Sequence, residues 1–174
     1  TAMAEGADGE FFTADTKGRV LSWNTRHPSE GYGLVWTGNK NISVMTVSPD
    51  NSWLACGTDD SEILMIPLDD DSIGYQLQDS SGSITSLVYS DNVHLFSSTA
   101  GSGVSEWDLA TRRAKRIISD PSGITVIGLS DRNAMLAAIT GEGKLVCWQN
   151  GKPLKYLPDP TGGRIRTALE FIPE

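Results

Sequence analysis

The sequence predicts an all-β chain built from four tandem four-stranded units, and three observations predict it. Short apolar runs ending in Trp23, Ile66, Trp107 and Trp148 recur at intervals of 43, 41 and 41 residues. A second kind of run opens on Ile42, Ile84, Ile124 and Ile165, at intervals of 42, 40 and 41. Between them lie turn-forming residues: 18 Gly and 8 Pro, with scattered Ser, Asp and Asn, punctuate many short elements rather than long helices. Two independent markers that share one period indicate an internal repeat.

The order of parts within each unit is the same. An apolar strand opens on Ile, as in "ISVMTV", "ITSLVY" and "ITVIGL", and a turn such as "SPDN" or "SDRN" follows. A second apolar strand, a tight Gly or Asp turn and the strand carrying the Trp position come next. A more variable fourth segment, such as "GYGLVWT" or "RRAKRII", closes the unit. Four short strands per unit make a β-propeller blade. The predicted blades cover about 1–41, 42–83, 84–123 and 124–164 within one segment of 174 residues, and a further strand at 165–172 lies beyond the fourth.

Trp107-Asp108 and the "SPD" of Ser48, Pro49 and Asp50 resemble the WD-repeat β-propeller family, with weaker echoes at Trp23-Asn24, Trp148-Gln149 and "FIPE". The resemblance covers nearly the whole chain. It departs from the family in lacking Gly-His before the first strand of every unit, where "DSSG", "DPSG" and "DPTG" stand instead. The turn acid survives only as Asp60 and Glu142. The family joins its His, Ser or Thr, Asp and Trp in a buried hydrogen-bonded chain. With the His and most acids gone, the expectation is that the indole N–H has nothing to join and that apolar packing holds the blades.

The ends pose a separate question. "TAMAE" occupies the inner-strand slot of the first unit, but Glu5 falls where the other units have Val47, Tyr89, Leu129 and Phe171. A buried carboxylate there would be costly, so "TAMAE" reads as a poor inner strand and "IRTALEF" as a better one. An arc of four blades leaves two apolar faces uncovered. The segment is therefore expected to be a fragment of a larger propeller or half of an eight-bladed ring, closed by a second copy joined head to tail. Ile165, Ala168, Leu169 and Phe171 are the residues expected to mediate self-association.

A net charge of −8 argues against nucleic acid, and the basic stretch Arg112, Arg113, Lys115 and Arg116 reads as a solvated outer strand. No apolar run is long enough to span a membrane, and no signal pattern opens the chain, so a cytoplasmic location is expected. Cys56 and Cys147 sit in apolar runs as small hydrophobes. The "DPSG-I" style of blade has a bacterial look.

His27 and His94 fall on different units with no nucleophile motif, so no catalytic residue, metal or cofactor site is assigned. Asp69, Asp70 and Asp71 read as an acidic turn without the alternation of a calcium loop. The glycines of "AGSG" and "GEG" read as hairpin turns, and Asn41-Ile42-Ser43 as a chance glycosylation pattern. The resemblance implies a protein-interaction scaffold that binds partners through propeller face loops. Matching positions nominate Ser43, Asp59, Thr85, Thr125, Gly141 and Arg166, and Tyr32 and Trp36 are candidate rim anchors. The competing reading is a ligand-binding or regulatory segment fused to an effector or enzymatic domain elsewhere.

Overall fold

The computed structural model describes residues 2–69, 72–78, 82–130, 135–149 and 152–154. They form an all-β structure of four four-stranded antiparallel sheets, each an up-and-down meander in sequence order. The first sheet holds β1 (Ala2–Glu5), β2 (Glu10–Ala14), β3 (Arg19–Asn24) and β4 (Tyr32–Thr37). The second holds β5 (Ile42–Val47), β6 (Trp53–Thr58), β7 (Glu62–Pro67) and β8 (Tyr75–Gln78). The third holds β9 (Ile84–Tyr89), β10 (His94–Thr99), β11 (Gly103–Asp108) and β12 (Arg113–Ser119). The fourth holds β13 (Ile124–Ser130), β14 (Met135–Thr140), β15 (Leu145–Gln149) and β16 (Lys152–Pro153).

The leading strands β1, β5, β9 and β13 pack on one another in succession. No comparable packing joins β13 back to β1 among the described residues. Each junction between consecutive sheets has its own core. Phe12 and Val20 meet Leu54 and Leu64 at the first. At the second, Ile63 and Met65 meet Leu95 and Trp107. Val104 and Ile118 meet Leu136 and Val146 at the third. A strand covered on both faces carries an unbroken buried run, as in Leu54, Ala55 and Cys56. The trailing strands are wetter: Arg113, Ala114 and Lys115 of β12 are exposed, as expected for a solvated outer strand.

The predicted turn chemistry is local and explicit. Ser48 Oγ donates to Asp50 Oδ1 at 2.6 Å and accepts the Trp53 N–H at 2.9 Å. Asp50 also accepts from the Ser52 N–H and hydroxyl, and Asn51 takes φ 58° between them. Hydrogen bonds from Ser48 and then Ser52 hold the Asp50 carboxyl below its usual range.

Two expectations are corrected. "TAMAE" is a proper inner strand: β1 pairs with β2 from Ala2↔Ala14 to Glu5↔Phe11, and the first sheet is complete without another strand. Alternation buries Ala2 and Ala4 against the second sheet and turns Met3 and Glu5 to the uncovered side, so the carboxylate stays in water. The indole N–H groups of Trp23 and Trp107 are also satisfied. Trp23 Nε1 donates to Thr13 Oγ1 and Trp107 Nε1 to Ser97 Oγ, each at 2.8 Å across neighbouring strands. A hydroxyl on the second strand suffices without a His.

Candidate functional site

Ser43, Thr85 and Thr125 follow the buried isoleucines that open β5, β9 and β13, and each is the extra residue of a β-bulge. Ile42 pairs with Thr58 and Val44 with Gly57, which leaves Ser43 unpaired. Thr85 is skipped between Ile84↔Thr99 and Ser86↔Ser98, and Thr125 between Ile124↔Thr140 and Val126↔Ile139. A bulge re-aims the side chain it carries. Here two of the three aim at the next sheet.

Ser43 Oγ donates to the Ile84 carbonyl at 2.7 Å and lies 3.2 Å from the Gly57 carbonyl. Thr85 Oγ1 donates to the Ile124 carbonyl at 2.6 Å and lies 2.8 Å from Ser98 Oγ. Thr125 Oγ1 stays within its own sheet, donating to the Ile139 carbonyl at 3.1 Å. These hydroxyls thus have structural partners, and the first two join consecutive sheets.

Asp59 and Gly141 occupy the turns after β6 and β14, at the same end of the sheets. Their N–H groups bond back to Asn41 O and Gly123 O, the residues preceding β5 and β13. Asn41 Nδ2 adds a 2.6 Å bond to Asp59 Oδ2, and Ser83 Oγ donates to the Asp59 carbonyl. Gly123 takes φ 75°, and a Cβ there would collide with the Ala100 carbonyl. A Cβ at Gly141 would strike the Ser122 carbonyl, so both glycines permit a close approach of backbones.

The charged rim of this end is Lys40, Asp60 and Glu62. Lys40 Nζ lies 2.7 Å from Glu62 and 3.5 Å from Asp60. The Glu62 hydrogen bond raises the Lys40 pKa. The end can therefore offer hydrogen bonds and a carboxylate, Asp60, to a partner, while most of its nominated side chains already hold the sheets together. Arg166 lies outside the described residues, as do Ile165, Ala168, Leu169, Phe171, Asp70 and Asp71.

The uncovered side of the first sheet is the surface that residue-by-residue nomination missed. Trp23 stacks on Phe11 at 6.1 Å and leans on Tyr32 at 5.4 Å. Met3, Tyr32 and Leu34 are 70%, 61% and 62% exposed. In the third sheet the positions matching Phe11 and Trp23, Leu95 and Trp107, are 0% and 3% exposed because the second sheet covers them. Tyr32 is the expected rim anchor. Trp36 is half-buried, with its indole N–H buried and unpartnered among the described residues.

No group of three or more metal-ligating side chains stands together among the described residues, and no helix there is long and apolar enough to cross a membrane. No family model matches the sequence, and no curated protein matches it. Among solved structures, the chain is similar to the computationally designed Ika4 protein, with TM-score 0.70 and 15% identity over 86% of this chain and 89% of that one. It is also similar to the computationally designed Ika8 protein, with TM-score 0.78 and 18% identity. That match takes in 99% of this chain but 52% of Ika8, so the chain spans about half of that protein's length. At these identities the likeness shows an all-β, repeat-like architecture consistent with a β-propeller.

Proposed function

We propose that the chain is a non-catalytic interaction scaffold, an arc of four propeller blades that works by docking. The observation that carries this reading is the first sheet's outer side, where the Phe11, Trp23 and Tyr32 rings, Met3 and Leu34 face solvent at positions suited to a neighbouring sheet. Contiguous apolar faces of this kind mark association sites. A second copy of the chain is the proposed occupant. The span of about half of Ika8 supports it, since two such arcs make a set of eight sheets. The pairing requires no exchanged strand, because β1 already fills the first sheet. Kinship with WD repeats belongs to the same proposal, supported by the bonds from Trp23 and Trp107 to Thr13 and Ser97.

Light scattering tests it. Twice 18.7 kDa is expected for the wild-type chain, with Leu34→Glu and Met3→Glu shifting the mass toward one copy while the circular dichroism of the sheets is kept. A wild-type chain that stays monomeric at high concentration overturns the pairing. The competing reading, a ligand-binding segment of a larger effector protein, is favoured by the open cleft between the third and fourth sheets.

A further inference from the structure

The strand register allows the second and third sheets to be compared position by position. Leu54 faces Ile66 and Leu95 faces Trp107, so Trp53 corresponds to His94 and Met65 to Glu106. Tyr75 pairs with Met65 and Lys115 with Glu106, which completes the column. In the second sheet this column is apolar and closes its junction: Trp53 meets Tyr75 edge-on at 5.4 Å, and both pack with buried Met65 against the third sheet. In the third sheet the same three places hold His94, Glu106 and Lys115, and the junction with the fourth sheet opens into a cleft of about 690 Å³.

A cleft of this size falls within the range of small-molecule sites. Phe96, Leu136 and Trp148 supply its apolar walls. Ala138 stands where Thr13 and Ser97 serve the other tryptophans, so the Trp148 indole has no second-strand hydroxyl to join. Glu106 is half-buried and forms no hydrogen bond or ion pair among the described residues, even though Lys115 is its cross-strand neighbour. Asp91 engages His94 Nδ1 at 2.9 Å at the edge of the cleft.

We propose that this cleft binds a small organic cation with a flat apolar body, its ammonium or guanidinium group on Glu106 and its body against Trp148 and Phe96. The sign follows from burial. Glu106 is half-buried and Lys115 exposed, so solvent screens the carboxylate's field less than the ammonium's. The aromatic walls favour a cation further. This site is independent of the docking face on the first sheet.

The test uses three probes of one shape: 2-phenylethylamine, 2-phenylethanol and 3-phenylpropanoate. The full chain is titrated with each while tryptophan fluorescence and the indole N–H resonances are followed, with Trp148→Phe identifying the reporting signal. The amine is expected to bind at least tenfold tighter than the acid, with the alcohol between them. Glu106→Gln should weaken the amine at least fivefold and leave the alcohol unchanged. A triple variant carrying His94→Trp, Glu106→Met and Lys115→Tyr should close the cleft and abolish all binding; if it does not fold, Glu106→Gln decides alone. Equal or tighter binding of the acid, amine binding indifferent to Glu106→Gln, or no amine binding up to the millimolar range overturns the proposal. Loss of pairing in the Leu34→Glu variant with amine binding intact separates this site from the scaffold reading.

Discussion

Ser43 gives its hydroxyl proton to the carbonyl of Ile84, 41 residues along the chain and one sheet away, over 2.7 Å. Thr85 repeats the contact with Ile124 at 2.6 Å. Removing such a donor leaves a carbonyl short of a partner, so Ser43→Ala and Thr85→Val are each expected to cost about 1 kcal/mol. In a domain of this size that is a fall of about 2–4 °C in Tm. Thr85→Ser keeps the bond and should restore most of the loss in a urea titration.

The pairs Trp23–Thr13 and Trp107–Ser97 give a second expectation. Ser97 is wholly buried, so Ser97→Ala strands an indole N–H in the core at a cost of about 1–3 kcal/mol. The matching pair is half-buried, so Thr13→Val should cost less. Denaturation midpoints of the two variants check the order.

His94 carries a pH dependence. Its hydrogen bond to Asp91 raises the pKa above the usual 6.5, partial burial opposes the shift, and Glu106 and Asp108 add to it. Lys115 is the other charged group facing the cleft. The protonated form is favoured in the folded state, so the stabilisation is fully present below about pH 6.5 and is lost as pH rises through the higher folded value. The pair is largely exposed, so the effect is small. Asp91→Asn should flatten the stability profile between pH 6 and 8, as read by urea midpoints.

The two cysteines should differ in reactivity. Burial alone pushes the Cys56 thiol far up, and the residue has no exposure, while Cys147 is only partly buried and less shifted. A thiol reagent at pH 8 is expected to label Cys147 in the native protein and Cys56 only after unfolding. Mass spectrometry of the labelled peptides distinguishes them.

The repeat was legible because the period of about 41 is set by strand packing, which apolar runs and turn residues record directly. The bulges were not. Ser43, Thr85 and Thr125 recur at one place after each Ile, and simple alternation points them outward; only the paired register shows the bulges, and only the hydrogen bonds show Ser43 and Thr85 turned toward another sheet. The tryptophan partners left a readable trace, since Thr13 and Ser97 each precede their Trp by ten residues. Glu5 was misread because the rule that buries Val47 and Tyr89 assumes a covering sheet, which the first sheet lacks on that side among the described residues. The His94, Glu106 and Lys115 column needed the paired registers of two sheets, since the three residues lie on different strands.

The bridges set by Ser43 and Thr85 run one way along the chain: the second and third sheets each donate a hydroxyl hydrogen bond forward to a backbone oxygen of the sheet that follows. The series stops at the fourth sheet, where Thr125 turns its hydroxyl back to the Ile139 carbonyl of its own sheet. Those two inner junctions therefore have a direction, alcohol on the earlier side and backbone oxygen on the later, which an exchange of neighbouring sheets would not reproduce.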